Sequence, residues 1–221
     1  MKSIAVCLSG CGFLDGAEIH EAVLTLLAID HLGAKAVCCA PDILQSEVID
    51  HARHKPAADG GRRSVLVESA RIARGEIRDV AAVKVDEIDA LVFPGGFGAA
   101  KNLCNFATNG AACTVNADVE RLAVGMLRAK KPIGAICIAP ALLARICGKI
   151  ELHPRLTIGN DRATAGAIET MGGQHCDCAV TEMVIDEAHK IVTTPAYMLG
   201  RGPAEVYAGI RKCVEAVVRL A

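Results

Sequence analysis

Residues 132–140 read Pro-Ile-Gly-Ala-Ile-Cys-Ile-Ala-Pro, a short apolar run, then a cysteine, then the start of a segment that reads as a helix. Cys137 therefore falls at a strand-to-helix elbow. A nucleophile on such a turn is lifted above the edge of a sheet, where the free amides at the helix N-terminus stabilise its thiolate. Position is what singles it out, because the chain carries 11 cysteines and free cysteine is among the residues most often buried as core. Cys7, Cys38, Cys39, Cys147 and Cys213 lie in or beside apolar stretches and read as structural.

The same strand-then-helix rhythm runs outward from the elbow in both directions. Residues 3–8 are an apolar run ended by Ser-Gly-Cys-Gly, and helical spacing follows from about Gly16 to His31, with Ile19, Val23, Leu26, Leu27 and Leu32 on one stripe. Ala34–Cys39 reads as a second strand between Gly33, which closes the helix, and Pro41, which ends the run. The polar stretch Asp50–Arg63, with Arg53, His54, Lys55, Asp59, Gly60 and Gly61, reads as an exposed loop or hairpin insertion. Ser64–Arg74 has helical spacing closed by Gly75, and Ala90–Phe93 is a short buried strand that stops at Pro94-Gly95-Gly96. Asp118–Lys130 predicts a helix, Pro132–Ile136 a strand, and Pro140–Ile146 the helix after the elbow. Arg162–Met171, Met183–Asp186, Ile191–Thr193 and Ala204–Leu220 complete the alternation.

Alternation of this kind predicts an α/β fold with a mostly parallel sheet and helices on both faces, its strand ends sharing one edge. The composition agrees. The chain is 52% hydrophobic and only 3% aromatic, with no Trp, so Ala, Val, Ile and Leu must build the core, as buried parallel strands require. A length of 221 residues without a compositional break reads as one domain over residues 1–221.

Charge and cysteine usage narrow the function classes. With 24 basic and 25 acidic side chains the net charge is -1, and no basic block offers a nucleic-acid footprint. The apolar start of the chain breaks at Gly10 and Gly12, too soon for a signal peptide or a membrane span. An odd cysteine count, and the spacing of Cys38-Cys39 and Cys176-x-Cys178, fit neither a disulfide framework nor a zinc site. Reduced thiols and a soluble, cytoplasmic protein are the expectation. His175, Cys176 and Cys178 could share a metal only with a fourth ligand that the nearby sequence lacks, so no metal is expected.

Three strand ends carry candidate chemistry: Ser9–Glu21, Pro94–Asn102 and Cys137. Gly95 and Gly96 would let backbone amides approach a ligand and form part of an oxyanion hole, completed by the amide of Ile138. Alone, such a Pro-Gly-Gly is commonly only a turn. Glu21 sits in the first helix and by itself reads as a solvated carboxylate; buried against a thiol it would instead hold and pass a proton. Glu18 and His20 are its neighbours on other helix faces. A histidine base would have to come from His153, His175 or His189, of which His175 is best placed, although a surface histidine is the simpler reading.

Four blocks carry a family resemblance: Gly-Ala-Glu-Ile-His-Glu at 16–21, Phe-Pro-Gly-Gly-Phe-Gly-Ala-Ala-Lys-Asn-Leu at 93–103, Ile-Gly-Ala-Ile-Cys-Ile-Ala-Pro at 133–140, and Ile-Val-Thr-Thr-Pro-Ala-Tyr-Met-Leu at 191–199. They resemble the PfpI and parkinsonism-associated deglycase superfamily, and within it the ElbB glyoxalase branch. The last block and Asn-Phe-Ala-Thr at 105–108 are the branch-specific parts. The resemblance implies a flavodoxin-like sandwich of the class I amidotransferase type. It implies Cys137 as nucleophile, Glu21 as the acid touching it, Gly95, Gly96 and Ile138 as oxyanion positions, and a loose match of His175 to a distant histidine. Many members carry His directly after the cysteine, where this chain has Ile138, which argues against proteolysis.

What the resemblance implies for activity is a glyoxalase needing neither glutathione nor cofactor, which turns glyoxal into glycolate through a hemithioacetal on Cys137. A small site favouring glyoxal over bulkier dicarbonyls, and a homodimer, go with that expectation. Two other classes compete: a redox-responsive or chaperone-like protein with an oxidation-sensitive Cys137, and a deglycase acting on glycated amines. An amidotransferase subunit comes last, since no His-x-Glu follows Cys137.

Overall fold

The computed structural model describes residues 1–58 and 61–221. In chain order its first half runs β1 (Ser3–Cys7), α1 (Ile19–His31), β2 (Lys35–Ala40), β3 (Ile49–Asp50), β4 (Lys55–Pro56), α2 (Val65–Ile72), β5 (Arg78–Asp79), β6 (Ala90–Phe93), α3 (Phe97–Lys101) and α4 (Phe106–Asn109). The second half runs α5 (Ala117–Arg128), β7 (Ile133–Ile136), α6 (Ala139–Lys149), β8 (Arg155–Leu156), α7 (Arg162–Thr170), β9 (Gln174–His175), β10 (Val184–Asp186), β11 (Ile191–Thr194) and α8 (Pro203–Leu220).

Seven strands form the central sheet in the order β10-β11-β7-β6-β1-β2-β5. Every pairing is parallel except β10 with β11. The strands interior to this order are all but continuous apolar runs because both of their faces are covered. Side chains alternate between two cores: Ala5, Leu91, Phe93 and Ile133 face one way and meet Leu122, Met126, Leu142 and Ile146 of α5 and α6. Ile4, Val6, Val92 and Ile136 face the other and meet Ile29, Val65, Ile210 and Val217 of α1, α2 and α8. The result is the mostly parallel sheet with helices on both faces that the alternation predicts, and the flavodoxin-like sandwich that the resemblance implies.

Local chemistry sets the helix starts. Ser64 caps α2 by accepting from the Val67 amide, Asn116 caps α5 from Asp118 and Val119, and Asp161 caps α7 from Thr164. The predicted ends agree to within a few residues. Three features lack a periodic signal and were not anticipated: the short α3 and α4, the edge strand β5, and the two-strand pair β8 with β9. Within the polar stretch 50–63 a small antiparallel ribbon of β3 and β4 forms. Asp59 and Gly60 lie outside the described residues.

The first helix differs in an instructive way. It begins at Ile19, not near Gly16, because Glu18 caps it and 10–17 are a loop. Its buried face is Glu21, Ala22, Thr25, Ala28 and Ile29, whereas Ile19, Val23, Leu27 and Leu32 of the expected stripe are exposed. Apolar residues occur on nearly every side of this helix, so periodicity does not decide its orientation. Packing does, since α1 lies against α8 and the small Ala22 and Ala28 allow close approach. Ile29→Ala should cost about 2–5 kcal/mol in urea unfolding, while Val67→Ala, at a side chain 62% exposed, should stay within about 0.5 kcal/mol. Equal losses would place the core on the wrong helix faces.

Candidate active site

β7 carries the chain to the sheet edge, and the turn into α6 is made at Cys137 itself, with φ of 63°. A non-glycine residue in this left-handed region stores about 1–3 kcal/mol of strain and is held there only by its surroundings. One restraint is the Cys137 amide, which donates to the Thr194 carbonyl of β11 at 2.9 Å. Ile138 is the N-cap of α6 and Pro140 lies in its first turn. The amides of Gly96 and Ile138 both hydrogen-bond the Cys137 sulfur.

The loop after β6 approaches the elbow so closely that only glycine fits. A Cβ on Gly95 would stand 2.4 Å from Cβ of Cys137 and 2.5 Å from Oε2 of Glu21. At Gly96, where φ is +88°, it would stand 2.3 Å from the Glu18 nitrogen. The two glycines thus serve as more than a turn: they let Gly95 and Gly96 present amides beside the thiol.

Glu21 is fully buried, in contrast to its reading as a solvated helix carboxylate. Its Oε2 accepts from the Gly95 amide at 3.0 Å and its Oε1 from the Tyr197 amide at 3.1 Å. Burial pushes its pKa up to about 8, aided by the charge of Glu18 and opposed by the Tyr197 amide, the Cys137 thiol and the Gly95 amide. At neutral pH this carboxyl therefore holds a proton. Burial also raises the Cys137 thiol, with the Glu21 charge as the next cause, while the amides of Gly96 and Ile138 pull the thiol down. Protonating Glu21 removes that repulsion and turns the carboxyl into a donor toward sulfur once the thiol has lost its own proton.

Two further residues belong here: Glu18, which the sequence set on another face of the first helix, and Tyr197, which it did not single out. Glu18 caps α1 by accepting from the Glu21 amide at 2.6 Å and also lines the cleft. Tyr197 follows β11 in a short turn, donates its amide to Glu21, and has its hydroxyl 2.7 Å from Nδ1 of His20. The signal for Tyr197 was present in the 191–199 block, whose backbone role shows only in the fold.

The histidines go elsewhere. Nε2 of His175 accepts from the Ile158 amide at 3.5 Å, and its Nδ1 is 3.7 Å from Asp177. His153 bonds the Gly172 carbonyl and His189 bonds Asp186. Among the described residues no histidine lines the cleft over Cys137. Cys176 and Cys178 donate to backbone carbonyls, and no group of three or more His, Cys, Asp or Glu among the described residues could hold a metal.

The cleft itself measures about 460 Å³ and is walled mainly by Phe13, Phe97, Phe106, Tyr197 and Met198, with Cys137 and Ile138 at its floor. This corrects the expectation of a small site. Glyoxal has only four non-hydrogen atoms, whereas pockets of this size hold far larger ligands.

The chain is 43% identical to the human glutamine amidotransferase-like class 1 domain-containing protein 3, mitochondrial, an alignment that covers 98% of this chain and 82% of that protein. The crystal structure of an isoprenoid biosynthesis protein with amidotransferase-like domain from Ehrlichia chaffeensis superposes with a TM-score of 0.93, at 38% identity over 100% of this chain and 99% of that one. The chain belongs to this family of glutamine amidotransferase-like class 1 domain proteins. Drosophila melanogaster DJ-1beta, at 19% identity and a TM-score of 0.54 over 100% of this chain and 95% of that one, shares the fold. No protein-family model matches the sequence.

The expectation of a cytoplasmic location is overturned by the human relative, which is named a mitochondrial protein. All 11 cysteines are free, but reduced thiols do not tell one reducing compartment from another. No helix among the described residues is long and apolar enough to cross a membrane.

The raised value of Glu21 has a sign that can be tested. Between the ordinary carboxylate range and about 8, the native state holds a proton that the unfolded state has released, so this group's contribution to stability falls as pH rises through that window. Glu21→Gln carries no such proton. In urea titrations the variant should gain on the wild type from about pH 5 to about pH 8 and run parallel above; a constant difference would mean that Glu21 is charged throughout.

Proposed function

We propose that the protein is a glutathione-independent glyoxalase of the ElbB type, converting glyoxal to glycolate with Cys137 as nucleophile and Glu21 as the proton carrier. The observation that carries this reading is the fully buried carboxyl of Glu21, neutral at pH 7, in contact with a thiol in a cleft lined by no described histidine. A hydrolase that uses a Cys-His pair needs that histidine. An aldehyde isomerisation needs one group that can give, take and return a proton, and Glu21 is such a group.

In the proposed reaction the Cys137 thiol first gives its proton to solvent water; the thiolate adds to one aldehyde carbon, C1, and the new oxyanion lies against the amides of Gly96 and Ile138 before taking the Glu21 proton. The Glu21 carboxylate then removes the hydrogen of C1 as a proton and returns it to C2, while the C1 hydroxyl proton passes to the C2 oxygen. C1 is oxidised to the thioester level and C2 is reduced to an alcohol, so no external electrons are needed. Water then attacks C1 and the thiolate leaves. The water proton goes to Glu21, which restores the starting pair. The net change is addition of one water to the dicarbonyl.

The deglycase alternative is favoured by one observation, the size of the cleft, since an adduct on an amine needs more room than glyoxal. It uses the same pair. His175 has no step in this mechanism, because its ring is engaged by Ile158 and Asp177. A homodimer remains part of the proposal, with the exposed Ile19, Val23 and Leu27 of α1 as the apolar surface it would cover; sedimentation at two concentrations should show a mass twice the chain's.

Glycolate formation from glyoxal, without glutathione, should be present in the wild type and absent in Cys137→Ala; full turnover by that variant would sink the assignment. Glu21→Gln should lose about 10²–10⁴-fold in kcat. Wild-type kcat/KM should fall as pH rises through about 8, when Glu21 loses the proton it must deliver.

A further inference from the structure

The chain is poor in aromatic side chains and distributes them unevenly. It has four Phe, two Tyr and no Trp. Phe93 is buried in the core, and Tyr207 bonds His31 on the surface of the α1–α8 layer. The other four, Phe13, Phe97, Phe106 and Tyr197, all line the cleft above Cys137. They come from four separate places in the sequence: the loop before α1, the start of α3, the start of α4 and the turn after β11. Apart from Phe93 the core is built from aliphatic residues; Phe106 and Tyr197 are partly buried against it, while Phe13 and Phe97 belong to neither core cluster. Phe13 and Phe97 are 40% and 47% exposed, a state that costs free energy unless something covers them.

The rings are also held in place. Lys101 lies over the Phe97 ring at 5.0 Å from its centre and is itself tied to Glu47 and to the Leu14 carbonyl. Phe13 packs edge-on to His51, with 5.5 Å between ring centres. An apolar wall that exists before any ligand arrives favours a rigid apolar ligand, because little ordering remains to be done on binding. The nucleophile and the amides of Gly96 and Ile138 fix where the reacting carbonyl sits, at the floor. Whatever is attached to the neighbouring carbon must then extend upward between the rings. Glu18 lines the same cleft, and a carboxylate there disfavours an anionic substituent.

We infer that the preferred substrates of this site are α-oxoaldehydes whose second carbonyl bears an uncharged apolar group of about phenyl size, seated between Phe13, Phe97 and Phe106. This rests on the carbonyl chemistry proposed for Cys137 and Glu21, and it narrows that chemistry to a substrate class. Glyoxal, with hydrogen in place of such a group, would be turned over without using the upper cleft.

Purified enzyme is given glyoxal, methylglyoxal and phenylglyoxal in turn, without glutathione, and the corresponding hydroxy acid is quantified by chromatography. Burying a phenyl group is worth about 1.5–3 kcal/mol, so kcat/KM for phenylglyoxal should exceed that for glyoxal by roughly 10- to 100-fold, with methylglyoxal between them. Phe106→Ala and Phe106→Leu should each lower the phenylglyoxal-to-glyoxal ratio. That ratio is measured within one preparation and does not depend on how much of the variant is folded. Glyoxal equal to or better than phenylglyoxal would overturn the inference and leave the glyoxalase reading standing. Turnover of none of the three would overturn that reading, and the substrate class with it. A ratio unchanged in both Phe106 variants would remove the ring from the binding site.

Discussion

One carboxyl group ties the functional edge of this molecule together. Glu21 leaves α1, receives the amide of Gly95 from the loop after β6 and the amide of Tyr197 from the turn after β11, and touches the thiol that ends β7. Burying a carboxyl with no partner costs several kcal/mol. Here both oxygens are satisfied, and the remaining penalty for charge is avoided by keeping the proton. Satisfaction and protonation are therefore linked: the amides fix the position of the acid, and its burial fixes its state. The strained backbone of Cys137 is tolerable for the same reason, since Thr194, Gly95 and Glu21 surround it on three sides.

How much of this was legible in the sequence depends on whether a residue's role is set by topology or by packing. Alternating apolar runs and helical spacing impose a parallel sheet, and a parallel sheet brings the residues after β1, β6 and β7 to one edge. The proximity of Glu21, Gly95 and Cys137 could thus be read before any coordinates. The burial of Glu21 could not, because it depends on which face α1 turns inward. That choice is made by small residues meeting α8, and an apolar stripe of Ile19, Val23 and Leu27 misdirects the reading. Tyr197 contributes a backbone amide, which leaves no mark in residue type. The size of the cleft was invisible for a related reason: it is set by loops and by the short α3 and α4, which carry no period.

The cysteines show the same division. Cys7 and Cys39 sit opposite each other on β1 and β2, fully buried, and the hydrogen bond between them together with burial holds the Cys7 thiol far above its ordinary value. Burial pushes Cys213 up to about 12 as well. Cys113 differs, since a hydrogen bond from Cys104, with Arg145 and Lys149 nearby, brings it below the ordinary thiol value. Residue type and local apolarity cannot separate these cases. The nearest cations and amides can, and they come from distant parts of the chain.

At Cys137 two backbone amides, those of Gly96 and Ile138, meet the sulfur beside the Glu21 carboxyl. Backbone amides survive every substitution except proline and carry no charge that would itself need burial, so they can stabilise an anion inside an apolar cleft where a lysine or a protonated histidine would be costly. That is consistent with a cleft walled mainly by Phe13, Phe97, Phe106, Tyr197 and Met198. In the proposed chemistry a substrate exchanges water for rings over part of its surface, and the amides of Gly96 and Ile138 meet the oxygen of the carbonyl under attack. Under the proposed reaction, recognition and chemistry are separated in space: the rings act on what the substrate carries, and Glu21 and the amides act on what every substrate shares.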